Sequence, residues 1–128
     1  MYKFFCKGSK FYGIIKNLCP RCQSGRFWKE KNPYKNIFDK NLGNCDSCDN
    51  CNFKYEIEPG FWYGAMYVSY ALGILFSVLI YMLLVNINND IEVFNQFLII
   101  SISILLISPV NYFYSRIIWI NFFVKYQK

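Results

Sequence analysis

The sequence contains no histidine, and two long stretches of it contain no charged residue. Without histidine, a tetrahedral metal site built by this protein alone has to consist of cysteine sulfur. The absence also removes the most common general base, and the sequence offers neither an acid–base pair nor a nucleophile with a base beside it. An integral membrane enzyme is therefore the least favoured function class.

The two uncharged stretches run from Gly60 to Asn89 and from Val93 to Ser115. A bilayer core of about 30 Å requires roughly 20 apolar residues in a helix. The sequence therefore predicts a transmembrane helix over residues 59–85, a short acidic external loop over 86–93, and a second transmembrane helix over 94–114. Two core helices of a soluble protein are disfavoured, because the rest of the chain is too small to cover them.

Neither predicted span contains an acid, a base or a histidine. Proton relays, ion paths and sites for charged substrates inside a membrane usually show at least one such residue. Transport by this chain alone is therefore not expected.

Small residues recur at four-residue spacing on the first span, which lets another helix approach closely. They are Ala65, Ser69, Gly73 and Ser77. The expected facing seam on the second span consists of Ser101, Leu105, Ser108 and Tyr112. A second copy of the chain, forming a homo-oligomer through the same stripe, is the alternative partner.

Basic residues are concentrated before the first span. Residues 1–59 hold eleven of the fourteen basic residues with six acidic ones, for a net charge of +5, and three basic residues follow the second span. The loop between the spans has Asp90 and Glu92 and no basic residue. Because short Lys- and Arg-rich segments stay in the cytoplasm, both termini are expected there.

The two ends of the chain are expected to lie on the membrane surface. Residues 1–18 are broken by Lys3, Lys7, Lys10 and Lys16, so a cleavable signal peptide is not expected, and a basic interfacial helix is one interpretation. Residues 115–128 are apolar around most of a helix. This pattern predicts a second, amphipathic interfacial helix at the C-terminus.

Six cysteines occur, and two C-x-x-C pairs dominate their spacing. The pairs are Cys19–Cys22 and Cys48–Cys51, with 25 residues between them. In the reducing cytoplasm structural disulfides are rare, and two such pairs can hold one ion tetrahedrally. We therefore predict a structural zinc site in a ribbon-like domain over residues 19–58, with iron as the alternative metal. A closed four-thiolate site leaves no open position for catalysis.

Two cysteine assignments need an argument. By spacing alone Cys45 could replace Cys48, but the run after Cys51 alternates apolar and polar residues as a strand does, which favours the pair that ends at Cys51. Cys45 is then a spare thiol, and Cys6 is an isolated one. A thiol redox or metal-handling protein is an alternative, disfavoured because one C-x-x-C would suffice and no βαβ context surrounds either pair.

Only nine residues, NFKYEIEPG, lie between Cys51 and Phe61, where the long apolar run begins. A ribbon strand would use five or six of them, and Pro59 would fit the first turn of the helix. The metal domain is therefore expected to sit against the membrane in one orientation.

Several motifs together resemble the domain of unknown function 983 family, in its Bacteroidota branch. They are CPRCQSGRFW, NPY, CDNCNFKYEIEPGFWYGAMYVSYALG and PVNYFYSRIIW. The resemblance extends from about Cys19 to Tyr126 and is most specific in residues 55–72. The sequence departs from the family pattern at Cys45, which is additional, and at Gln23 and Asn52, where glycine often follows each cysteine pair.

The resemblance implies a small bacterial inner-membrane protein with two spans and a cytoplasmic four-cysteine knuckle, whose activity is not established. In some proteobacteria the family's genes lie beside cytochrome c oxidase and oxidase-assembly genes, which implies a link to respiratory membrane complexes. The expected function is therefore that of a non-enzymatic accessory or assembly protein of a larger membrane complex.

A membrane-tethered ribbon that binds nucleic acid or the ribosome is the alternative from another class. It is disfavoured because acidic residues are interleaved throughout residues 39–58, whereas a nucleic-acid surface is more uniformly basic.

Overall fold

The computed structural model describes residues 7–38, 45–87 and 90–127. Within these residues the chain forms four helices: α1 (Lys10–Lys16), α2 (Pro33–Ile37), α3 (Tyr63–Ile87) and α4 (Val93–Phe123). The helices α3 and α4 pack along each other as a hairpin, and α1 and α2 both pack on α4. The cysteine pairs lie in the irregular segments between α1 and α3, at the C-terminal end of α4.

Both long helices are long and apolar enough to cross a membrane. They have 25 and 31 residues, and at 1.5 Å per residue they measure about 37 and 46 Å against a bilayer core of about 30 Å. Most of their large apolar side chains are exposed, and in water such surfaces would be covered. The chain thus has two candidate membrane-spanning helices in the expected order.

The structure corrects the separate interfacial helix that was expected over residues 115–128. Residues 115–123 continue α4 without a break, past Pro109, and the chain is no longer helical from Val124. One side of this extension is buried, at Ser115, Ile117, Ile120 and Asn121. The tail is apolar around most of its circumference because one face packs against the cysteine-containing segments, whereas Phe122 and Phe123 remain exposed.

The start of the first long helix also differs from its expected position. The helix α3 spans Tyr63–Ile87, whereas residues 59–85 were predicted. Pro59 lies in a turn before the helix, in which the Phe61 N–H donates to the Glu58 carbonyl at 3.0 Å. Gly60 has φ +81°, and a proline followed by a positive-φ glycine is typical of a type II turn. The Pro–Gly pair therefore ends the segment with the two cysteine pairs, residues 19–58, which we call the cysteine domain. It also sets the direction in which α3 leaves this domain.

The two long helices pack through a different seam from the expected one. Ser101, Leu105 and Ser108 are exposed, so these three positions of the predicted seam are wrong. The fourth, Tyr112, is half-buried and lines a cavity together with Ser69 of α3. Instead, the Asn111 side-chain amide donates to the Ser69 carbonyl at 3.0 Å.

The small residues of the first span do take part in this contact. Gly73 lies beside the same Asn111 amide, and Ala65 is buried. At the end nearest the cysteine domain, the Trp119 indole lies directly on Gly64, where an added methyl group would collide with it. Its N–H donates to the Phe61 carbonyl at 2.9 Å. The stripe thus lets α3 and α4 approach as expected, with Asn111 as the partner of Ser69 and Gly73. Trp119 packs on Gly64, which lies beside the stripe.

The short helix α2 is bound to α4 close to Pro109. Asn32 caps α2 by accepting a hydrogen bond from the Tyr34 N–H at 3.0 Å, and Pro33 occupies its first turn. The Tyr34 hydroxyl donates to the Leu106 carbonyl at 2.9 Å. Pro109 has no N–H to offer the carbonyl four residues before it, so this part of α4 is where the helix ladder is interrupted. The NPY sequence thus brings the Tyr34 hydroxyl to the carbonyl next to that of Leu105, which is the one that Pro109 leaves without its helical N–H.

Candidate metal centre

The two cysteine pairs form two backbone turns of nearly the same geometry. In the first turn the Gln23 N–H donates to the Cys19 carbonyl at 2.9 Å, and in the second the Asn52 N–H donates to the Cys48 carbonyl at 2.9 Å. The N–H of the first cysteine closes each turn. Cys19 donates to the Gly25 carbonyl at 2.8 Å, and Cys48 donates to the Phe53 carbonyl at 3.0 Å. A turn of this kind points both thiols of a C-x-x-C pair to the same side.

The residue after each pair adopts the left-handed conformation, with φ 50° at Gln23 and φ 52° at Asn52. Asparagine tolerates this region, so Asn52 can stand where the family often has glycine. Gln23 has the same conformation without being glycine or asparagine. Its buried side chain accepts a hydrogen bond from the Gly8 N–H at 2.6 Å and donates to the Ser9 carbonyl at 2.9 Å. These two bonds tie the segment before α1 to the first turn, which glycine could not do.

The four thiol sulfurs that the sequence indicated lie together. The sulfurs of Cys19, Cys22, Cys48 and Cys51 are all within 4.8 Å of one another. Across the two turns, Cys19 and Cys51 are 3.9 Å apart and Cys22 and Cys48 are 3.6 Å apart. Four sulfurs at the Zn–S distance of about 2.3 Å on a tetrahedron would be about 3.8 Å apart. The spacing therefore fits one tetrahedral ion held by sulfur.

The fifth described cysteine lies outside this cluster. Cys45 is half-buried and not part of the four-sulfur group. Its N–H approaches the Phe27 carbonyl at 3.4 Å. This placement agrees with its interpretation as a spare thiol, whereas Cys6 lies outside the described residues.

The turns lead into very little regular sheet. Within the described residues each turn is followed by a single antiparallel bridge, Leu18 with Arg26 and Ser47 with Lys54. The strands expected of a ribbon are therefore reduced to isolated bridges. The aromatic side chains between them supply the packing that a sheet would otherwise provide.

The thiols differ in how readily they lose their protons. Burial raises the pKa of Cys19 to about 12, against the opposing effect of N–H groups from Cys22 and Arg21. Burial also raises the pKa of Cys51. For Cys22 burial acts in the same direction, but hydrogen bonds from the Gly25 and Ser24 N–H groups outweigh it and lower the pKa to about 6.

These directions determine how metal binding depends on pH. Burial thus favours the protonated thiols of Cys19 and Cys51, whereas the N–H donors around Cys22 favour its thiolate. A metal ion has to displace the protons, so its affinity rises with pH and falls on acidification.

Gly25 allows the two turns to approach each other. A methyl group at this position would collide with the Cys48 sulfur. Replacing Gly25 with alanine should therefore move one ligand and weaken metal binding by at least about tenfold, which corresponds to only about 1.4 kcal/mol. Competition with a colorimetric chelator measures the affinity.

Ser24→Ala is the matched control for Gly25→Ala. Ser24 is exposed and its hydroxyl makes one local bond to the Cys22 carbonyl at 3.2 Å, so this variant should bind metal like the parent protein. Equal affinity of the two variants would show that the approach at Gly25 does not matter.

The metal site shares its core with the end of α4. Cys19 and Cys48 are fully buried in a cluster with Phe27, Trp28 and Tyr55. The Tyr55 ring lies against Phe27 with centroids 4.8 Å apart, and its hydroxyl donates to the Arg26 carbonyl at 2.8 Å. The residues of α4 in the same cluster are Phe113, Ile117 and Ile120.

Trp28 makes the central contact between the two parts. Its ring stacks on Phe113 with centroids 5.1 Å apart and an angle of 17°. The Asn17 side-chain oxygen accepts a hydrogen bond from the backbone N–H of Trp28 at 3.0 Å. Sequence reasoning missed the pair of Asn17 and Trp28. The available signal was Asn17 itself, which ends α1 in the left-handed conformation typical of a helix terminus.

The family model described as protein of unknown function (DUF983) matches residues 38–123. The match includes the second cysteine pair and both long helices, and it begins after the first pair. No curated protein and no solved structure shows a significant similarity to the chain.

Proposed function

The chain belongs to the DUF983 family, and we propose that this member is a non-enzymatic inner-membrane protein that helps to hold or assemble a larger membrane complex. In this proposal a structural zinc ion stabilises a small cytoplasmic platform made of the two cysteine turns. The platform and the adjoining end of α4 form the surface that the partner recognises.

The observation that carries the proposal is the continuity of one core from the four cysteines to α4. Cys19, Trp28 and Phe113 belong to the same buried cluster. A metal module on a free tether would have its own core and a polar connection to the helices. Shared packing favours a single rigid surface that includes both parts.

Zinc is favoured by the ligand set. Four sulfurs at tetrahedral spacing suit an ion that has no geometric preference of its own. All four coordination positions would be filled by protein, which leaves none for water or a substrate. This arrangement supports a structural role and is the reason that catalysis is not proposed.

The membrane assignment rests on the exposed apolar surface of α3 and α4 and on the distribution of charge. The connection between the two helices carries Asp90 and Glu92 and no basic residue, whereas residues 1–59 carry a net charge of +5. Positive charge is retained in the cytoplasm. We therefore propose that both termini and the metal site face the cytoplasm.

The partner is proposed to be a membrane complex such as a respiratory oxidase rather than a second copy of this chain. Part of the small-residue stripe of α3 already packs against Asn111 of α4, which leaves less of it for a homodimer. The exposed apolar faces of both helices remain available to other membrane helices.

Affinity purification in mild detergent, followed by mass spectrometry, tests the proposal. The tagged protein should enrich subunits of one membrane complex, and Cys48→Ser should lose them while Cys45→Ser retains them. Enrichment of nucleic acid or ribosomal proteins that dissociate steeply with salt would support the alternative tether. Equal enrichment by both variants would show that the metal platform does not form the docking surface.

A further inference from the structure

A cavity of about 620 Å³ opens between the start of α3 and the end of α4, beside the metal platform. Its walls combine aromatic rings with one basic and one acidic side chain. The residues used below are Glu56, Trp62, Met66, Tyr70, Tyr112 and Arg116. In the proposed membrane orientation this cavity lies at the cytoplasmic headgroup level.

Arg116 is the only basic residue among those that line the cavity. Its guanidinium lies over two aromatic rings at once, 4.8 Å from the centre of Trp62 and 4.7 Å from the centre of Tyr112. The Glu56 carboxylate acts on this guanidinium electrostatically, but the described residues show no hydrogen bond between the two. The two rings hold the cation without occupying its N–H donors, so these donors can bind an anion beside Glu56.

The opposite charge is supplied by Glu56, which is exposed and lines the same cavity. A ligand with an anion alone would be repelled by this carboxylate. A ligand that carries both a phosphate and an ammonium group would meet an opposite charge at each end. The Tyr112 hydroxyl, at the wall of the cavity, is buried without a hydrogen-bond partner in the described residues.

The remaining wall is apolar and continues along α3. Met66 and Tyr70 line the cavity, and both are about half exposed, at 49% and 62%. Because they lie four residues apart, they face the same side of the helix. A hydrocarbon chain could follow this side of α3 away from the charged end.

From this combination we propose that the cavity binds an aminophospholipid. The phosphate lies at Arg116, the primary ammonium lies at Glu56, and an acyl chain packs along Met66 and Tyr70. The phosphate contact uses the planar fork of the arginine, which suits phosphate oxygens. The ammonium contact favours a primary amine, since a quaternary one cannot donate a hydrogen bond to the carboxylate.

Lipid titration of the delipidated full-length protein, followed by native mass spectrometry, tests this site. Phosphatidylethanolamine should bind at one molecule per chain, more tightly than phosphatidylcholine or phosphatidylglycerol. Arg116→Gln should weaken the binding of phosphatidylethanolamine and phosphatidylglycerol by about tenfold or more, because it removes hydrogen bonds from a charged donor. Glu56→Gln should remove the preference for phosphatidylethanolamine over phosphatidylglycerol.

The controls separate charge, folding and the source of the headgroup. Lys10→Gln changes the net charge equally at an exposed position of α1 that does not line the cavity, and it should bind like the parent. Glu56 is exposed, so its variant reports on the site even where Arg116→Gln fails to fold. Soluble glycerophosphoethanolamine should not compete at concentrations where the lipid saturates.

Three results would overturn the proposal. They are binding without saturation, an unchanged lipid preference in Glu56→Gln, and competition by glycerophosphoethanolamine as strong as that by the lipid. The last result would assign the cavity to a water-soluble phosphate ester.

Discussion

Replacing Cys48 with serine should abolish metal binding and unfold the cysteine domain. Its sulfur is fully buried within the four-sulfur cluster, and serine would leave three thiolates around the ion. Structural zinc contributes about 10–16 kcal/mol to small domains of this kind, far more than this aromatic core could replace. Elemental analysis should find about one zinc per chain in the parent protein and none in the variant.

Cys45→Ser is the matched control for this experiment. It changes a cysteine three residues away, and its sulfur lies outside the cluster, so the metal content should stay the same. Equal loss of metal in both variants would mean that Cys45 is a ligand. Protein that is purified anaerobically and contains no metal would refute the metal site itself.

Replacing Trp28 with alanine should detach the metal platform from α4, at a cost of about 3–5 kcal/mol in the free energy of unfolding. The indole is fully buried and stacked on Phe113, and it also lies against Phe27 with centroids 5.6 Å apart. Thermal unfolding of the purified protein and limited proteolysis between the platform and α3 measure the effect.

Trp28→Phe separates packing from hydrogen bonding in this result. The Trp28 indole N–H is buried without a partner in the described residues, so phenylalanine loses no hydrogen bond and keeps a ring over Phe113. This variant should retain most of the stability. An equally large loss in Trp28→Phe would show that the volume or the N–H of the indole, and not the stack, holds the two parts together.

The short connection after Cys51 is not the only link between the metal platform and the long helices. A Gly–Ser insertion of ten residues after Glu58 should lengthen that connection but leave the stack of Trp28 on Phe113 in place. On the other side of the platform, Arg21 and Gln127 exchange two further hydrogen bonds, each of 2.9 Å. Packing therefore restrains the orientation of the platform in addition to the short connection predicted to do so.

The parts of the fold that follow from local chemistry could be predicted from the sequence. Two C-x-x-C pairs that hold one ion each require a tight turn, and a run of 30 uncharged residues is long enough for a membrane-spanning helix. The C-terminal boundary of α4 could not be found in this way. Residues 115–123 have large apolar side chains both on the buried side, at Ile117 and Ile120, and at the exposed Phe122 and Phe123. Hydrophobicity alone therefore does not distinguish protein contact from lipid contact.

Arg116 was also beyond sequence reasoning, although it was visible as the first charge after a long uncharged run. Its significance depends on Trp62, which lies 54 positions earlier and meets it only when α3 and α4 are antiparallel. The Pro–Gly pair at residues 59–60 was a stronger local signal, and it was misread as the beginning of a helix. Long-range contacts and the choice between turn and helix both depend on the packed structure.

The bond between Tyr34 and the Leu106 carbonyl has a consequence for the shape of the molecule. Leu106 lies 13 residues after the start of α4, or about 20 Å along the helix. If a hydrocarbon layer of about 30 Å begins near Val93, then in the proposed orientation the Tyr34 hydroxyl lies about 10 Å below the cytoplasmic surface. In that orientation the protein would displace more lipid area from the inner leaflet than from the outer one. Such a wedge is most stable where the membrane bends so that the inner leaflet is spread, and many copies close together would favour that curvature.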